Sequence, residues 1–307
     1  MLRLFAALRR ALRVDLFVAH FNHRWRQPDS DGDARWVQRL SSAFGLPCVV
    51  GAQCFPRPTS ARRAVQSESE ARTVRYRFLR WAAEYFRCSA IATAHTLNDQ
   101  AETVLHHLLR GSGLSGIRGI PGDRPIDSGL RIVRPLLTFE REELVAFLDT
   151  LGQKFRTDPT NQEPARTRNA IRHELLPQLQ RRYNPRLIAA LGRLARQASE
   201  AELVVRRLAR RVLRRARCSR TDGAVELELS RLRGRSRHLL RQVFVELWQV
   251  QDWPRRKMTF RHWNAAADVV QGRRVQTVCP DGVIVRRRRG RLLVERSHHA
   301  RRAADGH

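Results

Sequence analysis

The chain has few cysteines, half as many acidic residues as basic ones, and no long apolar run, and each shortage closes off a class of protein. Cys48, Cys54, Cys88, Cys218 and Cys279 form neither a C-x-x-C pair nor an even set. A disulfide framework and a structural zinc are therefore not expected, and with no secretory leader the reading is a protein of the reducing cytoplasm. No apolar stretch approaches the roughly 18 residues that a membrane span requires. The opening "MLRLFAALRRALRV" is basic and amphipathic like a transit peptide. Its apolar positions Leu2, Phe5, Leu8 and Leu12 also fit one face of an ordinary helix, and a helix is the expectation. No internal repeat is found.

What is present in excess is positive charge. Lys and Arg number 59 against 29 Asp and Glu, a formal +30, and almost all of it is arginine. Such an excess attracts polyanions, and arginine's planar fork suits phosphate. The arginine bias of a GC-rich genome accounts for part of it, but not for runs such as "RRLARRVLRRAR" and "RRRRGR". A length of 307 residues points to two or three domains, and a hydrophobic content of 42% is enough to fold them.

Short apolar runs recur: Asp15 to Ala19, then "LPCVVGA" and "CSAIATA", each preceded by an amphipathic helical stretch. This alternation predicts parallel strands with crossover helices, in a three-layer, doubly wound α/β domain. After Pro121 comes "RPLLTFEREELVAFLDTLG", with Thr138 expected as the N-cap of its helix. A loop, "RTDPTNQEPARTRN", precedes a long helical region read as an arm. The last part predicts strands in hairpins around Asp281-Gly282 and Arg289-Gly290, and a disordered tail. The expected boundaries are residues 1–165 for the α/β domain, 166–220 for the arm, 221–297 for a smaller α+β domain and 298–307 for the tail.

The stretch "IATAHTLNDQAETVLHHLLRGSG" carries the densest chemistry. His95 and Asp99 fall at the carboxyl end of a strand, where open α/β sheets bind ligands. Asp99, Glu102 and His106 are spaced by three and four and so share one helical face. Acidic groups there could hold magnesium through water; alternatively, Asp99 merely complements the helix dipole. A second segment, "VAHFNHRWR", also ends a strand in Ala-His and brings His20, Asn22 and His23 to the same sheet edge.

These residues resemble the N-type ATP pyrophosphatases, or PP-loop family, and within it the tRNA(Ile)-lysidine synthetase branch. The resemblance runs through "VAHFNHRWR", "ATAHTLNDQAETVLHHLLRGSGLSGIRGIP", "RPLL" with "REEL", and "DPTNQEPARTRNAIRHELLP". It is close over residues 1–200 and loose beyond. It implies an adenine nucleotide alpha hydrolase-like fold, ATP and Mg2+ as cofactors, and two partners: free L-lysine and an isoleucine tRNA with a CAU anticodon. The implied reaction adenylates C2 of the wobble cytidine and then displaces AMP with the lysine ε-amine. By this resemblance Asp99, Glu102 and His95 are catalytic, with Asp99 and Glu102 also the magnesium ligands. His20, Asn22, His23, Thr93, Arg110, Gly111 and Gly113 stand on the nucleotide side, and Asn161, Arg168, Asn169 and Arg172 meet the RNA. No membrane partner is expected, and a homodimer is left open.

The pattern is departed from at Thr96 and Asn98, where the family has a histidine and an aspartate. The family also opens on a strand and an S-G-G-x-D-S loop that cradles pyrophosphate; here Met1 falls inside the helix expected after that loop. The expectation is a start placed too late. The alternative is a catalytically inactive tRNA-binding remnant. A third reading, a free-nucleotide amidotransferase or sulfurtransferase, predicts no dependence on tRNA, and the +30 charge argues against it.

Overall fold

The computed structural model describes residues 1–24, 29–52, 68–127, 129–156, 167–221 and 223–296. The chain divides into two compact units, Met1–Arg196 and Gln197–His307. The expected disordered tail and residues 157–166 of the loop "RTDPTNQEPARTRN" lie outside the described residues.

In the first unit the apolar runs become strands and the periodic stretches become the helices between them. The order is α1 (Leu2–Leu12), β1 (Val18–Asn22), α2 (Asp29–Ala43), β2 (Cys48–Ala52), α3 (Glu68–Tyr85), β3 (Ala90–Ala92), α4 (Leu97–Leu109), α5 (Leu114–Ile117), β4 (Asp123–Asp127), β5 (Leu130–Val133) and α6 (Arg141–Thr150). β1 is parallel to β2 and β3 to β5, while β4 joins β5 antiparallel. This is the α/β class with parallel strands and crossover helices, carrying one antiparallel edge strand. β1 starts later than the run Asp15 to Ala19 suggests, because Val18 N–H donates to the Pro47 carbonyl at 2.9 Å and fixes the register there. His20 therefore lies within the ladder, opposite Val50.

Among the described residues the ladders β2–β1 and β3–β5–β4 are not hydrogen-bonded to each other. Between β1 and β3 runs an apolar slot of about 230 Å³, walled by Val18, Ala19, Ile91 and Ala92 and covered by Phe5 and Leu79. The predicted face of α1 is thus half used. Leu2 and Phe5 line the slot, whereas Leu8 and Leu12 stay exposed.

The helix cap before α6 differs from expectation. Glu140, not Thr138, is the N-cap, and it forms a reciprocal capping box with Glu143. Two acidic side chains can do this because each carboxylate accepts a backbone N–H of the first turn.

From residue 167 onward come α7 (Thr167–Ala170), a π-helical turn (Ile171–Leu175), α8 (Leu176–Arg182) and α9 (Leu187–Ala216). The widened turn precedes Pro177, which has no N–H to continue the helical ladder. The helical stretch is not free-standing. Its early residues Ile188, Leu191 and Ala195 bury against Ala101 and Val104 of α4 and Ile171. Gly192 permits this approach, since an added Cβ would collide with Leu97. Its later residues Ala209, Val212, Leu213 and Ala216 belong to the core of the second unit.

That second unit holds β6 (Arg217–Thr221), β7 (Ala224–Glu228), α10 (Leu229–Leu232), α11 (Arg237–Val250), α12 (Phe260–Gln271), β8 (Gln276–Cys279), β9 (Val283–Arg288) and β10 (Arg291–Arg296). The antiparallel sheet runs β6-β7-β10-β9-β8. Arg289 and Gly290, both at positive φ (43° and 80°), close a two-residue hairpin in which Arg288 pairs with Arg291, as a primed turn requires. Glu246 of α11 is only 2% exposed and accepts from Arg206 Nε at 2.9 Å and Arg210 Nε at 2.6 Å. No described helix is long and apolar enough to cross a membrane.

Candidate functional site

The N-terminus of α4 is built by its own first turn. Thr96, one of the two departures from the family pattern, is the N-cap: its backbone N–H donates to Asp99 Oδ2 at 2.8 Å and its hydroxyl to the same oxygen at 3.0 Å. In return, Asp99 N–H donates to Thr96 Oγ1 at 3.5 Å. Asn98, the other departure, accepts Arg141 N–H at 2.8 Å, and Leu97 N–H donates to the Phe139 carbonyl at 2.8 Å. These bonds tie the start of α4 to the start of α6. An aspartate in place of Asn98 could accept the same bond, so this position does not by itself damage the site.

One helical turn on, Glu102 is 1% exposed, and a polar group so buried needs hydrogen-bond partners. It has two, both from the segment about 70 residues later. Arg172 Nε and Nη2 donate to it at 2.5 and 3.0 Å, and Arg168 Nε at 3.2 Å. Arg172 Nη2 also reaches Asp99 Oδ1 at 3.2 Å, with Arg168 3.9 Å from the same oxygen. Burial works against the charge of Arg172, but the hydrogen bond and charge of Glu102 outweigh it and raise its pKa above the ordinary value. The spacing of Asp99 and Glu102 thus places them on one face, and the predicted arginines meet them there.

These side chains border a cavity of about 420 Å³. Its charged lining is Asp99, Glu102, Glu140 and Glu142 against Arg141 and Arg172, a local excess of negative charge on a chain of formal charge +30. Glu140 and Glu142 were not picked out as site residues in the sequence; the signal available was their place in "REEL" and the residue before it.

His95 follows β3, and its Nδ1 pairs with Thr93 Oγ1 at 3.0 Å. Burial lowers its pKa to about 4. Asp99 opposes that shift, while Arg134, Arg72 and Arg168 reinforce it. The imidazole is therefore neutral at pH 7. Burial also lowers the pKa of His20, with Asp33 opposing and Arg75 assisting. Arg72 and Arg75, nearly one turn apart on α3, thus face the two histidines. Arg134 is 5% exposed and holds the Pro121 carbonyl at 2.6 Å. It belongs to "RPLL", which marked it, but it was given no role.

Other predicted residues are placed elsewhere. Asn22, 4% exposed, donates to Asp31 at 2.7 Å and accepts Arg24 N–H at 2.8 Å, so both ends of its amide anchor the chain after β1. His23 packs edge-on to Phe21 with ring centroids 4.9 Å apart. Arg110 caps the far end of α4, and Gly111, at φ 71°, reverses the chain after it. At 1.5 Å per residue that end is about 17 Å from Asp99, so Arg110, Gly111 and Gly113 are not brought to the carboxylates. What fixes the loop between them is Gln100: it donates to the Arg118 and Ile120 carbonyls at 3.2 and 3.3 Å and accepts Ile120 N–H at 2.6 Å. His106 lies about one helical turn beyond Glu102; desolvation first, then Arg110, His107 and Arg168, lower its pKa. Asn169 lies in α7 beside Arg168. Asn161 lies outside the described residues.

As placed here, Asp99 and Glu102 are engaged by the protein itself, so magnesium would reach them only by displacing an arginine contact. Both oxygens of Glu102 accept from arginine, and Asp99 divides its oxygens between the helix cap and Arg172. Among the described residues no group of three His, Cys, Asp or Glu side chains could hold a metal ion. Magnesium is commonly held by only one or two carboxylates together with substrate phosphates, so the assignment of Mg2+ to Asp99 and Glu102 remains a proposal.

A family model for the PP-loop domain matches residues 1–179. The tRNA(Ile)-lysidine synthase of Geobacter sulfurreducens is 34% identical over 254 residues, covering 83% of this chain and 53% of that protein. The enzyme of the same name from Alkalilimnicola ehrlichii is 36% identical over 296 residues, covering 95% and 63%. That of Thermus thermophilus is 42% identical over 193 residues, covering 62% and 36%. The chain thus spans about half the length of the curated relatives it matches. Among solved structures, a U34-tRNA thiolase of Methanococcus maripaludis superposes with a TM-score of 0.50 at 13% identity, over 63% of this chain and 66% of that one. At that identity the likeness concerns the fold.

Proposed function

Because the chain belongs to the PP-loop family, we propose that it acts on an isoleucine tRNA with a CAU anticodon, using ATP to join free lysine to C2 of the wobble cytidine. The C2 oxygen attacks the α-phosphorus and pyrophosphate leaves; the ε-amine of lysine then attacks C2 and AMP departs. The relatives' names support this class of reaction. The observation that carries it is the acid-lined cavity around Asp99 and Glu102, which attracts a cationic amino acid on a molecule that otherwise repels cations.

In this scheme the lysine ammonium takes over contacts that Arg168 and Arg172 now make. Asp99 or Glu102 accepts the proton that the amine must lose before attack. The displaced guanidiniums turn to the adenylate or an anticodon phosphate, for which their geometry is suited. His95, neutral at pH 7, offers the nucleotide a hydrogen bond without adding charge. Base recognition needs the cytidine unstacked from the anticodon loop. The basic excess binds the RNA backbone.

A second reading, a tRNA-binding protein without activity, draws on the same ion pairs: Asp99 and Glu102 are already occupied by Arg168 and Arg172. Pyrophosphate release from ATP, measured with and without lysine and the CAU transcript, tests the proposal. Release that needs both, with a lysine-sized mass gain on the anticodon fragment, is the expected result. Tight transcript binding with no product would overturn the enzymatic reading in favour of the second.

A further inference from the structure

We propose that the first turn of α12, with the adjoining face of α11, is a stacking platform for one unpaired nucleobase of an RNA. The inference rests on the RNA-binding reading above but does not need its chemistry. Phe260, the first residue of α12, is 65% exposed, while the packing of that helix is done by Ala266, Ala267, Val269 and Val270, all at 1% or less. The ring is held in place without being buried. Thr259 caps the helix in a box with His262, its N–H donating to His262 Nδ1 at 3.0 Å.

Arg241 of α11 lies over the ring, its guanidinium carbon 4.8 Å from the centroid. Among the described residues that guanidinium makes no ion pair; it donates to Asn264 Oδ1 at 2.9 Å and contacts His238 Nδ1 at 3.3 Å. The nearby carboxylate of Asp268 is engaged by Arg237 at 2.6 Å and faces Arg273 at 3.7 Å. Exposed Arg261 adjoins the ring in sequence. The second unit as a whole carries 27 Lys and Arg against 11 Asp and Glu.

This combination selects the occupant. The cores of protein interfaces are depleted of charge, whereas here an exposed aromatic ring stands beside Arg241 and Arg261. A nucleobase supplies what fits: a π-face for Phe260 and phosphates for the arginines. Asn264 and His238 stand within reach of the same guanidinium and could read a base edge.

The test measures binding of a CAU isoleucine tRNA transcript, and of a fully paired RNA duplex, without ATP or lysine, across a salt series. Removing a stacking ring weakens single-stranded RNA binding by about tenfold or more. Phe260→Ala should therefore weaken transcript binding to that extent with the same slope of log affinity against log salt. The duplex, which has no free base, should be unaffected, and Phe260→Trp should restore binding. Arg261→Ala should instead shallow the slope by about one for both RNAs. An unchanged thermal midpoint checks that the Phe260 variants are folded. Transcript binding unaltered by Phe260→Ala, an equal loss on the duplex, or failure of Trp to rescue would overturn the platform. So would sedimentation in which Phe260→Ala dissolves an oligomer, since the occupant would then be a second copy. Because no catalysis is read, loss of the lysidine proposal leaves this outcome intact.

Discussion

Glu102→Gln isolates the electrostatics of the site, because it keeps the side chain's shape and removes only charge. Glu102 is 1% exposed and accepts three bonds, from Arg168 Nε at 3.2 Å and from Arg172 Nε and Nη2 at 2.5 and 3.0 Å. A bond to a charged group contributes roughly 1.5–3 kcal/mol. Glutamine keeps one oxygen and turns an amide N–H toward a guanidinium, so about two of the three are lost, a gross cost of about 3–6 kcal/mol. Water offsets much of this. The side chain of Arg168 is 36% exposed, and Arg172 retains Asp99. Discounting for that screening leaves about 2 kcal/mol. Amide exchange in α4 and in the π-helical turn reads this loss locally, and about 2 kcal/mol corresponds to roughly thirtyfold faster exchange. Glu84→Gln, which breaks an ion pair whose side chains are 50% and 61% exposed, is the comparison and should leave exchange unchanged. Equal effects of the two substitutions, or none from Glu102→Gln, would refute the idea that the two arginines hold the acidic pair in place.

The neutral state of His95 makes stability pH-dependent. With its folded pKa at about 4, below the usual 6.5, the unfolded chain binds the extra proton, so this contribution is complete above pH 6.5 and is lost as the pH falls toward 4. His95→Gln should flatten that part of the unfolding profile, and an imidazole resonance titrating near 6.5 would contradict the assignment. Gly119 combines a φ of 63° with a position where an added Cβ would stand 2.5 Å from Gln100 Oε1. Gly119→Ala should therefore cost about 3 kcal/mol, against about 1 kcal/mol for Gly111→Ala, which has positive φ but open space. Comparing thermal midpoints by circular dichroism checks the difference.

Much of the architecture was legible because it is local. Alternating apolar runs and amphipathic stretches gave the parallel strands and their helices, and Arg289-Gly290 announced its own hairpin. The acidic pair was legible for the same reason, since a spacing of three residues fixes a helical face. What closes the site was not. The partners of Glu102 come from 66 and 70 residues away, and only the resemblance marked Arg168 and Arg172. Gly111, at φ 71°, turns the chain about 17 Å from Asp99, so the glycines of this loop lie apart from the acidic pair that the helical spacing marks. Thr96 reads in sequence as a lost histidine, and in three dimensions it is the cap that orients Asp99.

The slot between β1 and β3 gives the molecule two responses to salt. Among the described residues each wall strand has a ladder partner on one flank only, and the lining is apolar, so an extended segment of another copy could add there. At low ionic strength mutual repulsion between copies bearing +30 keeps neighbours out. Added electrolyte weakens that repulsion, as it weakens the grip on nucleic acid. A concentrated brine that strips RNA from this protein should, in the same tube, drive it to clump.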